Sequence, residues 1–347
     1  MTEDLPDSSL ADALRAVAHG AILGTDQVAS AFAVIMAGGG DPVQSAGLLM
    51  GLRARGETPQ ELAGVARALR ASGVRVDRPE GPVIDTCGTG GGRVGTFNVS
   101  TAAAFVAVAA GAVVAKHGNR SYTSRCGSAD VLEALGIPMQ LDRVRASVVL
   151  REVGIVFLYA PAFHPAMRHL APVRKALGVP TIMNLVGPLA NPAGVRRQVV
   201  GVADPERGSL MAEALVLLET EHALVVHADV GMDEIAPAGL TRVWEVRGRV
   251  VTEWQINPAA FGLAVDDLAG LAGGEPRDNA DRLRRLFADP DADRVGAAAV
   301  TLNAGAALYV AAVATTLAEG VERARAALAS GAAAERLGRL VAASSAG

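Results

Sequence analysis

Lysine is almost missing from this chain. Of its 32 basic residues only Lys116 and Lys175 are lysines, and arginine carries the remaining positive charge. A lysine here is therefore hard to dismiss as surface filler. Cysteine is equally scarce: Cys87 and Cys126 are the only two, which excludes a disulfide framework and a cysteine-rich zinc site. Three Tyr, two Trp and seven Phe are too few for the stacking platforms of a single-stranded nucleic-acid binder. A net charge of −4 gives no global pull toward nucleic acid or anionic lipid, so any anion must be held locally. Apolar stretches such as TAAAFVAVAAGAVVA stop short of the ~18–20 residues of a membrane span and are broken by glycine. The acidic start MTEDLPDSSLADALR is unlike a secretory leader. The expectation is a cytoplasmic protein with no membrane or nucleic-acid partner.

What remains is a 347-residue chain, half hydrophobic and one-fifth charged, long enough for two or three packed domains and far from the composition of disorder. Residues 8–75 read as short helices. Ser8 or Ser9 caps the first, Thr25 or Asp26 the second, and Asp41-Pro42 the third. Thr58-Pro59-Gln60-Glu61 is a capping box with proline at the first helical position. Val28, Phe32 and Ile35, then Leu62, Val65 and Leu69, recur at helical spacing, and such stripes are packing surfaces before they are cofactor boxes. The predicted domains are a helical one at 1–75, joined in space by about 166–190, and an α/β one at 76–347.

After the linker RVDRPEGP the pattern becomes short apolar runs alternating with helices: VIDTC, NVSTAAAFVAVAAG, AVVAKH, SADVLEALG, DRVRASVVLREVG, IVFLYA. This predicts an α/β fold with a central, mostly parallel sheet flanked by helices, whose ligands sit beyond the carboxyl ends of the strands. Residues 178–204, ALVVHADVGMDEIAP and the hairpin RVWEVRGRVVTEWQI are read as continuing the sheet. Ala-rich helices over roughly 278–343 close the chain.

Two loops at strand ends carry the chemistry. DTCGTGGGRVGTFNVST (85–101) follows a strand and opens a helix, offering bare backbone N–H groups, a positive helix end and the side chains of Asn98, Ser100 and Thr101 to a phosphate. Gly90 to Gly95 formally match the dinucleotide fingerprint, but Ala115, Lys116 and His117 stand where the acidic ribose-binding residue belongs. KHGNRSYTSRCGSAD (116–130) gathers two cations and several hydroxyls in the next loop, which suits a polyanion. Asp233-Glu234 can hold a hard divalent cation beside phosphates, although such pairs are common on surfaces. Taken singly, His117 reads as an interior histidine and Arg174 as a surface helix residue. There is no zinc-protease, nucleophile-elbow or Walker motif.

Together, GTGG…TFNVST, KHGNR…GSADVLEALG, HPAMRHLAPVRKALGVPT, NLVGPLANPAG and GMDE resemble, in this order and over nearly the whole chain, the anthranilate phosphoribosyltransferases of tryptophan biosynthesis. The resemblance implies a cytoplasmic homodimer, associating through the helical domain, that transfers phosphoribose from phosphoribosyl pyrophosphate to the anthranilate amine with two Mg²⁺ ions per subunit. It implies that the donor lies against Gly88, Gly91, Gly92, Thr96, Asn98, Val99, Ser100 and Thr101. A second group, Lys116, His117, Gly118, Asn119, Arg120, Ser121, Tyr122, Thr123, Ser124 and Ser128, completes that subsite. Anthranilate would meet Gly88, Asn119, His164, Arg174 and Pro188, and Mg²⁺ would be held at Ser100, Asp233 and Glu234. Catalysis would rest on positioning by Lys116, Arg174 and His117 and on stabilising the leaving pyrophosphate, through an oxocarbenium-like state, without a protein nucleophile.

Three residues depart from that family's pattern. Gly92 and Arg93 replace its usual Asp-Gly, which predicts a changed Mg²⁺ dependence or substrate affinity with the backbone cradle kept, and Cys126 replaces a serine with a weaker donor, which predicts modestly weaker substrate binding. Cys87 and Cys126 both border the expected site, so thiol reagents are expected to inhibit. The competing readings are a pyrimidine nucleoside phosphorylase-like enzyme and an inactive paralogue that binds nucleic acid.

Overall fold

The computed structural model describes residues 8–121 and 125–345. Helices α1 (Ser8–Ala18), α2 (Thr25–Met36), α3 (Pro42–Arg55) and α4 (Pro59–Ser72) come first. Asp41 caps α3 by accepting from the Val43 N–H at 2.6 Å. The Thr58 hydroxyl accepts from Glu61 N–H at 3.4 Å while the Glu61 carboxylate accepts from Thr58 N–H at 3.0 Å, the reciprocal bonding of a capping box. Glu61 does more than cap: fully buried, it also accepts from Leu23 N–H and Arg55, binding the α1–α2 connection to α4. The start of α2 differs from the sequence reading. Thr25 and Asp26 lie inside its first turn and Gly24 is the N-cap, because the Gln27 side chain reaches back to accept from Gly24 N–H at 2.9 Å.

Among the described residues seven strands form one sheet: β1 (Ile84–Gly88), β2 (Val114–Gly118), β3 (Ile155–Tyr159), β4 (Arg197–Gly201), β5 (His222–Ala228), β6 (Thr241–Arg247) and β7 (Val250–Ile256). Their order is β3-β2-β1-β4-β5-β6-β7. The first five run parallel, and β6 and β7 add an antiparallel hairpin. Of residues 178–204, read above as sheet, only Arg197–Gly201 is a strand; Ile182–Asn184 and Gly187–Leu189 are single 3₁₀ turns. Pro180, Pro188 and Pro192 have no N–H to give a ladder, which restricts a central strand to the stretch after them.

Helices α5 (Val99–Ala109), α6 (Ser128–Ala134), α7 (Arg143–Val153), α8 (Ala160–Phe163), α9 (Ala171–Leu177) and α10 (Gly208–Leu217) connect the strands. Helices α11 (Pro276–Ala288), α12 (Arg294–Val310), α13 (Leu317–Ala329) and α14 (Ala332–Ser345) close the chain. Side chains alternate across the sheet. Val199, Leu224, Val226 and Val243 face a core shared with Phe105, Leu302 and Leu308 of α5 and α12. Val200, Val225, Trp244 and Val246 face a second core that takes in Met211 and Leu215 of α10 and continues to Phe32, Leu48 and Leu62 of the N-terminal helices. Leu170, Val173, Ile182, Met183 and Leu189 pack in that second core. No helix among the described residues is long and apolar enough to cross a membrane.

The topology positions the site. From β1 the chain moves outward to β2 and β3, then returns to lay β4 on the other side of β1. The carboxyl ends of β1 and β4 therefore flank a switch point, where an open α/β sheet leaves a crevice for a ligand.

Candidate active site

Gly88 at the end of β1 is in register with Gly201 at the end of β4. The loop beyond is tied to β4 by Thr89, whose N–H donates to Gly201 O at 2.9 Å and whose hydroxyl accepts from Ala203 N–H at 3.3 Å. Gly90 and Gly91 have φ of 69° and 86°, a left-handed backbone in which a side chain is strained. The loop ends at α5. On the opposite wall, Gly231 (φ 89°) turns the chain after β5, with Ala228 N–H donating to Met232 O at 3.0 Å. That turn delivers Asp233 and Glu234 under the glycine loop. Gly201 is required there, because a Cβ would collide with the Asp233 carbonyl. A Cβ on Gly92 would stand 2.6 Å from Asp233 Oδ1.

Glu234 accepts from Ser100 N–H at 3.0 Å and from the Thr96 hydroxyl at 3.2 Å, so it already binds the first turn of α5. Burial, and then the neighbouring Asp233 charge, push its carboxyl up to about 8. Burial raises Asp233 as well. Two adjacent carboxylates under such pressure are a place where a cation is favoured. Among the described residues no group of three or more His, Cys, Asp or Glu could hold an ion. The donor set thus fits a hard cation that takes one or two carboxylates and completes its shell from water and substrate phosphates.

Lys116, 3% exposed, is the middle residue of β2 rather than the first of the loop beyond it, with its ammonium donating to Thr86 O and lying 3.3 Å from Ser100 Oγ. Burial lowers its pKa, while Asp85, Cys87 and Glu234 act in the opposite direction. The next residue, His117, is buried with Nδ1 3.2 Å from Gly187 O, and its Nε2 has no hydrogen-bond partner among the described residues. Its ring meets His164 edge-on at 5.2 Å between centroids. Burial, reinforced by His164, depresses the His117 pKa to about 3, and burial lowers His164 too. Pro188 follows Gly187 in the same turn. Arg174 lies half-buried in α9 beside the core residue Val173.

Several residues expected to face a phosphate are engaged elsewhere. Arg120 turns onto Asp130 and Glu133 at 2.8 Å each. Asp130 Oδ2 in turn accepts from Gly127 N–H at 2.8 Å and Ser121 N–H at 3.2 Å, closing the loop on the first turn of α6. Asn119 caps its own turn by accepting from Arg120 N–H at 2.7 Å, and its carbonyl accepts from Ser128 Oγ at 3.4 Å. Gly118 has no room for a Cβ because Ser128 lies against it. The Asn98 amide donates to Cys126 O at 3.2 Å and accepts from Asn279 at 3.0 Å. Val99 and Thr101 are buried in α5. Tyr122, Thr123 and Ser124 lie outside the described residues.

The two cysteines differ from expectation. Cys126 is buried and donates its thiol to Asn98 Oδ1 at 3.4 Å. Burial pushes it up to about 11 and raises Cys87 well above the usual thiol range. Both therefore remain protonated, poorly nucleophilic thiols. Sequence reading also passed over Asp85 and Asn191, which form a buried carboxylate–amide pair at 2.8 Å behind His117. Only a polar residue inside the apolar run VIDTC hinted at it.

Residues 11–73 match the helical bundle domain of a glycosyl transferase family, and residues 80–334 match its a/b domain. An anthranilate phosphoribosyltransferase of Rubrobacter xylanophilus is 51% identical over 334 residues, 96% of each chain. The crystal structure of anthranilate phosphoribosyltransferase from Thermus thermophilus is similar with a TM-score of 0.91 at 44% identity, covering 96% of this chain and all of that one. The Saccharomyces cerevisiae enzyme in complex with phosphoribosyl pyrophosphate and Mg follows the same course, with a TM-score of 0.88 at 26% identity and 99% of each chain covered. The chain belongs to the anthranilate phosphoribosyltransferase family of glycosyl transferases.

Proposed function

We propose that this chain transfers the 5-phosphoribosyl group of phosphoribosyl pyrophosphate to the amine of anthranilate, releasing pyrophosphate, in tryptophan biosynthesis. The observation that carries the reading is the convergence at one switch point of a glycine loop, the buried Lys116 and the Asp233–Glu234 pair. A doubly phosphorylated, metal-bound donor needs that combination. The loop N–H groups from Gly88 to Gly92 and the α5 end near Ser100 receive the phosphates. Asp233, Glu234 and Ser100 hold Mg²⁺, which when bound neutralises charge on the departing pyrophosphate. Lys116 supplies a fixed positive charge already oriented by Thr86 and Ser100, so little reorganisation accompanies bond cleavage.

Arg174 grips the anthranilate carboxylate and Asn119, His164 and Pro188 line its path, leaving the amine aimed at the anomeric carbon. The arylamine is neutral at physiological pH and needs no strong base. A neutral His117 suits this wall, since it adds no charge beside the nucleophile. The reading extends to a homodimer formed through a helical domain of residues 1–75 with about 166–190, an α/β domain over 76–347, and a cytoplasmic location. The test is loss of anthranilate fluorescence on mixing with phosphoribosyl pyrophosphate while titrating Mg²⁺. Loss that requires both substrates and Mg²⁺, and that weakens in Arg174→Ala, is the expected result. No loss at any Mg²⁺ level overturns the reading and turns attention to phosphate-dependent cleavage of nucleosides.

A further inference from the structure

Strand β1 pairs with β4 over five residues, and β2 with β3 over five, but β1 and β2 pair only at Ile84 and Val114. The sheet therefore opens between its two central loops just where the site begins. Backbone groups that a ladder would have satisfied are left facing the gap, and buried groups of this kind need partners. Side chains supply them. Asp85, with no exposed surface, accepts from His117 N–H at 3.2 Å through Oδ1 and from Asn191 Nδ2 at 2.8 Å through Oδ2. Asn191, 2% exposed, also donates to Ala115 O at 2.8 Å and accepts from Ala193 N–H at 2.9 Å. One carboxylate and one amide thus fasten β1, β2 and the turn that follows Gly187 and Pro188.

We infer that Asp85 and Asn191 are positioning residues that hold the acceptor wall, formed by His117 and the Gly187-Pro188 turn, at a set distance from the donor loop. The inference rests on the transferase reading above. The fully laddered β1–β4 pair, which carries the glycine loop on one side and packs against Asp233 on the other, does not depend on this knot. The β2–β3 pair that bears His117 is laddered within itself as well, but its distance from β1 is set across the gap, where His117 N–H is bonded to Asp85 and the ring to Gly187. Weakening the knot should leave donor binding nearly intact and let the acceptor drift from its line of attack. A displacement of about 1 Å in such a geometry costs on the order of 100-fold in rate.

The experiment compares the parent enzyme with Asp85→Asn, which is isosteric but removes one acceptor, and with the double variant Asp85→Asn/Asn191→Asp, which restores an amide–carboxylate pair. Steady-state kinetics in both substrates and direct binding of phosphoribosyl pyrophosphate are measured on folded protein. Asp85→Asn is expected to lower kcat by about 100-fold and to raise the KM for anthranilate; because Asp85 also favours the charged form of Lys116, donor affinity is read on Asn191→Ser, where it is expected to stay nearly unchanged. The double variant recovers part of kcat, beyond what additive effects allow. If Asp85→Asn yields no folded protein, Asn191→Ser keeps the Asp85 bond to His117 and carries the same expectation. A folded variant whose kcat and anthranilate KM match the parent, with only its melting temperature lowered, overturns the inference and leaves the knot a stabilising feature. A parent enzyme that does not consume anthranilate fails the transferase reading instead.

Discussion

The depressed pKa of His117 makes the fold acid-sensitive by an amount that can be worked out. Its folded value of about 3, against an ordinary 6.5, means that the unfolded chain binds a proton below pH 6.5 that the folded chain refuses. Acid therefore pulls toward unfolding: this contribution is negligible above the unfolded value, grows as pH falls through it, and levels off near the folded value. Relative to about pH 8, the linkage relation gives a loss of about 0.8 kcal/mol at pH 6 and about 2 kcal/mol at pH 5. Urea unfolding of the parent and of His117→Gln at those three pH values isolates the effect, since His164, lowered by its own burial, titrates in both proteins. The parent should lose about 2 kcal/mol more than the variant between the extremes. Equal acid slopes would refute the argument and mean that the ring takes up its proton in the fold as readily as in the unfolded chain.

Two further outcomes follow from groups around the same crevice. Because Glu234 is held at about 8, roughly nine-tenths of it is protonated at neutral pH, and Mg²⁺ binding in the presence of phosphoribosyl pyrophosphate should expel close to one proton per subunit. Calorimetry in buffers of different ionisation heat reads this number, which should approach zero two pH units higher; a proton count independent of pH contradicts it. With Cys126 at about 11 and Cys87 raised as well, a disulfide exchange reagent at mildly alkaline pH should label native protein about 100-fold more slowly than unfolded protein. Labelling at the unfolded rate would restore the expectation of a reactive thiol beside the site.

The sequence was legible wherever one segment contains its own explanation. The strands of a sheet buried on both faces read as continuous apolar runs, which is why Ile84–Gly88, Val114–Gly118 and Ile155–Tyr159 fall on VIDTC, AVVAKH and IVFLYA to within a residue or two. The glycine loop, the strand lysine Lys116 and Asp233-Glu234 are likewise local patterns. Reading failed where a side chain is consumed by a partner distant in sequence. Arg120 looks like a phosphate ligand until Asp130 and Glu133 rise beside it on α6. Asn98 looks like a donor to an anion until its amide is seen to donate to Cys126 O while its oxygen accepts from Asn279, 181 residues away. Asp85 and Asn191 stand 106 residues apart, and neither belongs to a pattern that composition or period could expose.

The two loop departures illustrate the same division. In sequence, Gly92 is a lost carboxylate and Arg93 a gained charge, both apparent weaknesses beside a metal-bound donor. In space, the volume a side chain at 92 would enter is held by Asp233 Oδ1, so that glycine there leaves the Asp233–Glu234 pair undisturbed. Arg93 keeps its backbone bonded to Gly231 O at 2.9 Å, and its aliphatic stem lies against Gly231 at the turn that presents that same pair. The exchange therefore preserves the backbone cradle and both carboxylates while placing an exposed guanidinium at the mouth of the loop. What changes is the charge met by an approaching polyanion, a long-range effect that acts on capture and its salt dependence rather than on the buried groups that carry out the transfer.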